Sequence, residues 1–150
     1  METLSSKLPN LEVLDLSENY LSNDILPSLE GFTSLKQLDL SNTELDSDRH
    51  MEGVGCNFSV SLVKMSSEFL VLNDIFLSAL CSTLTNLEVL HLSFNNFNHT
   101  DIASALSGLS SLKSLNLAYS KLSWRSILSI LSTSQIFILC FLLETISNSL

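Results

Sequence analysis

The sequence predicts an α/β solenoid: a horseshoe segment of about five stacked repeats, with short parallel strands on the concave face and short helices or 3₁₀ turns on the convex face. Three observations predict it. The pattern L-x-x-L-x-L-x-x-N-x-L recurs along the 150 residues. Its copies start at near-constant spacing, and the segments between them show helical apolar spacing behind a capping residue.

The clearest copies are Leu11, Leu14, Leu16, Asn19, Leu21 and Leu87, Leu90, Leu92, Asn95, Phe97. A second reads Leu35, Leu38, Leu40, Thr43, Leu45 and a fifth Leu112, Leu115, Leu117, Ser120, Leu122. The third and weakest is expected at Val60, Val63, Met65, Glu68, Leu70. Starts at 11, 35, 60, 87 and 112 give steps of 24, 25, 27 and 25 residues, inside the roughly 20–29-residue period of leucine-rich repeats.

L-x-L has period two, so its leucines share one face of a short strand and the intervening residues share the other. Stacking such strands in parallel buries the leucines as one core and pairs their backbones. Asn19 and Asn95 fall where the chain turns off the strand, and an amide there can satisfy backbone groups that the turn leaves unpaired. After the turn, Ser22 and Asp24 precede Ile25, Leu29, Phe32 and Leu35, and Thr100 and Asp101 precede Ile102, Leu106, Leu109 and Leu112. These segments predict short convex helices or 3₁₀ turns, with Pro27 tolerated in the first turn. Residues 1–133 are expected to form the array, with 50–83 degenerate, and 134–150 an apolar C-terminal tail.

Apolar residues make up 45% of the chain, which excludes disorder, and the formal charge is −9 with seven Lys and Arg. Nucleic acid and anionic membrane surfaces both reward clustered positive charge, so neither is an expected partner. Cys56, Cys81 and Cys140 are odd in number and form no C-x-x-C pair. One disulfide plus a free thiol, or three buried and inert cysteines, are the two readings. His50, His91 and His99 lie at no metal-ligand spacing, and neither metal nor cofactor is expected.

Met1 is followed by Glu2 and a repeat already under way, with neither a charged n-region nor an apolar h-region, so no secretory signal is expected within the chain. No polar cap precedes the first repeat, and the chain reads as cut from something longer. Between Arg125 and Glu144 lie 18 uncharged residues. That length is borderline for a transmembrane span, but serines, Thr133 and Gln135 dilute it and no basic residue follows Leu143. The other reading is the fifth repeat's convex segment, with Ile127 and Leu131 inward, running into a terminal cap.

Residues between the strand leucines project from the concave face, the binding surface of such arrays. One expected column is Asp15, Asp39, Lys64, His91 and Asn116. The next is Ser17, Ser41, Ser66, Ser93 and Ala118, and the next Glu18, Asn42, Ser67, Phe94 and Tyr119. Phe94 and Tyr119 stand out, because large aromatics beside small serines dominate many hot spots. Against that, the serines could simply solvate the sheet, the aromatics stack on each other, and Asp15 and Asp39 form a solvated face. The sequons at Asn57 and Asn98 would accept glycans on a secreted chain.

The stretches "LPNLEVLDLSENYLSNDILPSLEGFTSLKQLDLSN" and "LTNLEVLHLSFNNFNHTDIASALSGLSSLKSLNLAYSKL" closely resemble the extracellular leucine-rich repeats of plant receptor-like proteins and receptor-like kinases. The resemblance is strong over 8–45 and 84–123 and weak over 50–83. It implies an extracellular horseshoe at the plasma membrane that perceives a peptide or microbial molecule with a co-receptor, in defence or development. The sequence departs from that family: "NDILPSL", "NDIFLSAL" and "TDIASAL" replace the outer-face G-x-I-P turn, and signal peptide, cysteine cap, juxtamembrane region and kinase are absent. The segment "MEGVGCNFSVSLVKMSSEFL" fits worst and reads as an irregular convex loop or the scar of a rearranged gene.

An enzyme is the least expected class, because no G-x-S-x-G, H-E-x-x-H or phosphate-cradling glycine loop occurs. The expected function is non-catalytic recognition of a peptide or protein on the concave face. The alternatives are an intracellular leucine-rich scaffold and a truncated receptor fragment without independent activity.

Overall fold

The structure is a computed structural model that describes residues 4–21, 25–29, 31–43, 45, 62–68, 77, 81–97 and 102–133. Its elements run α1 (Leu4–Lys7), β1 (Val13–Asp15), α2 (Leu26–Leu29), β2 (Gln37–Asp39), β3 (Lys64–Ser66), β4 (Val89–His91), α3 (Ile102–Leu106), β5 (Ser114–Asn116) and α4 (Trp124–Thr133). The five strands make one parallel sheet in sequence order, β1-β2-β3-β4-β5. Spatial order equal to chain order is what stacking of successive repeats produces.

Each strand has three residues, and its central apolar side chain carries the core. Leu14, Leu38, Met65, Leu90 and Leu115 lie in register across the sheet. From Leu38 onward this row is buried. One backbone device repeats at each strand entry: Lys36 and Gln37 both donate N–H to the Glu12 carbonyl, Val63 and Lys64 to Lys36, Glu88 and Val89 to Val63, and Lys113 and Ser114 to Glu88.

The third repeat departs from the expected register. Met65 pairs with Leu38 and Leu90, whereas the sequence pattern puts Val63 in that place. Leu62, Met65 and Ser67 therefore fill the three apolar positions, and the repeats start at 11, 35, 62, 87 and 112. The reason is physical. Leu62 and Met65 are buried while Val63 is half-buried, and a serine stands where the other repeats place Leu16, Leu40, Leu92 and Leu117, the last three fully inside the core. The Ser67 hydroxyl is buried and has no hydrogen-bond partner among the described residues.

On the convex side, Ile25 makes a 3₁₀ turn into α2, and Pro27 is the second residue of that helix, where its missing N–H breaks no helical bond. Helix α3 buries Ile102, Ala103, Ala105 and Leu106. Helix α4 packs beside it, with the Ser123 hydroxyl accepting from the Ser126 N–H at 3.1 Å as its N-cap. Ile127 faces the core as expected, but the second inward residue is Ile130, and Leu131 is exposed. The buried stripe is centred between 127 and 130, which leaves Leu131 at its solvent edge.

Burial is uneven along the solenoid. Leu11, Leu14, Leu16, Leu21 and Ile25 are only partly buried, and Leu8 is exposed where the corresponding Leu84 and Leu109 are buried. The first repeat packs on one neighbour and the interior repeats on two. No helix among the described residues is long and apolar enough to cross a membrane. Residues 134–150, the 46–61 segment, Cys56, Cys140, His50, His99, Asn57 and Asn98 lie outside the described residues.

Candidate ligand-binding face

Because side chains alternate along each strand, two rows of residues flank the buried row on the concave face. The row toward the strand ends is Asp15, Asp39, Ser66, His91 and Asn116. The row at the strand starts is Val13, Gln37, Lys64, Val89 and Ser114. Lys64 thus does not share a column with Asp15 and Asp39, and Ser66 takes its place. The two-residue shift keeps Lys64 on the same face, since the period is two.

The Asp15–Asn116 row is tied into its own turns. Asp15 Oδ1 accepts from the Ser17 N–H at 3.0 Å and the Ser17 hydroxyl at 2.6 Å. Asp39 Oδ1 accepts from the Ser41 N–H at 2.9 Å, and Asn116 Oδ1 from the Ala118 N–H at 3.0 Å. These are Asx turns, which end the strand by giving the next free N–H a local acceptor. The Ser17 hydroxyl, and after it the Ser17 N–H, hold the Asp15 carboxyl below its ordinary value, against a small opposing effect of burial.

One residue beyond, the chain enters the left-handed region in each described repeat, at Glu18 (φ 58°), Asn42 (φ 55°), Phe94 (φ 58°) and Tyr119 (φ 56°). The corrected register assigns Phe69 to this column, outside the described residues. The following residues close the turn from inside. Asn19 Nδ2 donates to the Leu16 and Ser17 carbonyls at 3.0 and 2.9 Å. Thr43 Oγ1 donates to the Leu40 carbonyl at 2.7 Å. Asn95 Nδ2 donates to the carbonyls of Ser67, Leu92 and Ser93 at 2.7, 3.0 and 3.3 Å. Ser120 Oγ reaches back to the Leu92 carbonyl at 2.9 Å. Asn95 and Ser120 therefore stitch adjacent repeats together as well as closing a turn.

Two surface features result. Phe94 and Tyr119 are stacked, with ring centroids 4.5 Å apart and planes within 6°, yet they remain 43% and 46% exposed. A depression of about 380 Å³ spans the first four repeats, lined by Ser17, Glu18, Asp39, Ser41, Asn42, Lys64, Ser66, Glu68 and His91. At the strand entries, Lys36 Nζ meets Glu12 Oε1 at 2.6 Å and Lys113 Nζ meets Glu88 Oε1 at 2.7 Å.

The Leucine Rich Repeat family profile matches residues 10–32 and 86–109, the first and fourth repeats. The chain carries leucine-rich repeats. Comparison with curated proteins gives no significant match. Among solved structures, this leucine-rich-repeat chain is similar to an internalin (InlF) from Listeria monocytogenes, at 16% identity and a TM-score of 0.44 over 92% of this chain and 50% of that one. It spans half the length of that protein. Five parallel strands with the leucine register and convex helices make the fold a leucine-rich-repeat solenoid.

On this leucine-rich-repeat face, Asp15, Asp39, His91 and Asn116 share one row and Lys64 stands in the next. Phe94 and Tyr119 touch. Asn19 and Asn95 point into the turns. Among the described residues no group of His, Cys, Asp or Glu is arranged to hold a metal ion. Sequence reasoning missed Glu68 as a surface residue of the depression, having assigned it to the turn-asparagine position. It also missed the local role of the acidic row, although Asp-x-Ser at 15–17 and 39–41 is a legible Asx-turn signal.

Proposed function

We propose that this chain is a non-catalytic recognition module that binds a peptide or protein on its concave leucine-rich-repeat face. The observation that carries it is the exposed Phe94–Tyr119 stack, on a face that also holds an open polar depression. Leucine-rich-repeat domains are generally protein-binding modules, and large aromatics are the side chains that anchor such contacts. The resemblance of 8–45 and 84–123 to plant receptor-like proteins supports a role in perception at the cell surface, in defence or development, with a co-receptor. An intracellular scaffold would use the same face.

The test is capture of partners by the purified chain, followed by titration of each with the Phe94→Ala/Tyr119→Ala variant. A loss of at least about 2 kcal/mol is expected if the pair anchors the complex. Unchanged affinity for every partner would move binding to the convex side. Glycan occupancy at Asn98 in the native source separates the two locations: sugar there requires the secretory route, and a bare sequon with reduced thiols favours the cytosol.

A further inference from the structure

The concave surface is asymmetric along the solenoid axis. Its C-terminal part is apolar, carried by Phe94 and Tyr119. Its middle part is a depression in which Glu18, Asp39 and Glu68 face a single ammonium, Lys64. The cations at the strand entries, Lys36 and Lys113, already contact Glu12 and Glu88. His91, at the end of the strand that leads to Phe94, also lines the depression. The whole chain, at −9, attracts cations from a distance.

The aromatics are not what the backbone at their positions prefers. A left-handed conformation suits Asn, as at Asn42, and strains a bulky residue. Two rings placed there and left nearly half exposed make a platform that a partner can cover.

We propose that this face selects an extended polypeptide segment bearing a lysine or arginine about three residues from an aromatic side chain. The cation sits over the Asp39–Glu68 part of the depression, and the aromatic residue covers the Phe94–Tyr119 stack. The spacing follows from the sheet. From the boundary of the second and third repeats to that of the fourth and fifth is two strand spacings, roughly 10 Å, which an extended chain crosses in about three residues. The inference rests on the concave face being the binding surface, and adds the chemistry of the ligand.

The probes are fluorescently labelled dodecapeptides with a Gly/Ser background, one Arg and one Trp at separations of one, three or six residues, each with a Glu-for-Arg counterpart. They are titrated against the full 150-residue chain by anisotropy. The Arg peptide of separation three is expected to bind at least tenfold tighter than its Glu counterpart, with the ratio shrinking at high salt. Asp39→Asn/Glu68→Gln should bring the ratio below threefold. This variant keeps the fold, because Asn116 already makes the same Asx turn in the fifth repeat. Phe94→Ala/Tyr119→Ala should weaken both peptides alike. Equal binding of Arg and Glu peptides that is lost in the aromatic variant overturns the charge selection and leaves the concave face as the binding surface. Binding indifferent to both variants overturns the inference and the concave reading together. No binding by any peptide, while a captured protein partner still depends on Phe94 and Tyr119, overturns the inference alone.

Discussion

Asn95 and Asn19 occupy the same turn position in very different surroundings. Asn95 is buried and its amide holds three carbonyls, one of them in the preceding repeat, whereas Asn19 is exposed and serves two in its own turn. Asn95→Ala should therefore cost about 2–3 kcal/mol, since the abandoned carbonyls stay out of water. Asn19→Ala should cost less than about 1 kcal/mol, because water replaces the amide. Urea unfolding of the two variants checks the contrast. Ser67 is the opposite case: its hydroxyl is buried without a partner among the described residues, so Ser67→Ala should stabilise by about 1 kcal/mol in the same assay. Cys81 is a buried free thiol, pushed up by burial from 9.0 to about 12. A thiol reagent at pH 8 should label it only in denaturant. The native state holds this proton more tightly than the unfolded chain, so the stability it contributes is whole below pH 9 and is lost as pH rises toward 12. Melting curves at pH 8 and pH 10, alongside Cys81→Ala, isolate that loss.

At the scale of elements, repeats approach each other closely at the convex turns. A Cβ on Gly108 would come within 2.9 Å of the Cys81 carbonyl oxygen, a backbone atom of the preceding repeat. Backbone cannot swing aside as a side chain can, so Gly108→Ala should separate the repeats at a cost of about 1–3 kcal/mol. The Lys113–Glu88 and Lys36–Glu12 pairs also join adjacent repeats, but both are exposed. Each should contribute under about 1 kcal/mol, and less at high salt. A double-mutant cycle on Lys113 and Glu88 measures this directly. The strands themselves are too short to persist alone, and backbone pairing to the neighbouring repeat holds each one in place.

For the whole molecule, stability is a sum over neighbouring repeats, so the first repeat, whose strand leucines are only partly buried, opens before the interior ones. Leu90 is fully buried in the central row, and Leu90→Ala should cost about 2–5 kcal/mol. Leu14, in the same row at the first repeat, is only partly buried and should cost clearly less on truncation. Hydrogen exchange should show amides of β4 protected well beyond those of β1. Equal protection would mean that the array unfolds as one unit.

The leucine spacing determined the solenoid, the number of strands, the parallel order and the face on which Asp15, His91, Phe94 and Tyr119 appear, because period two and a constant repeat length leave one way to bury those leucines. It could not determine the register of the third repeat. There Ser67 replaces a leucine, and two readings two residues apart put the same side chains inward. Only packing against Leu38 and Leu90 chose Met65, and that choice moved Lys64 out of the acidic column and brought Glu68 into the depression. The contact between Phe94 and Tyr119, 25 residues apart in sequence, and the link from Asn95 to the Ser67 carbonyl likewise exist only once repeats stack. A repeat motif specifies what each unit buries, and the neighbouring unit decides what it touches.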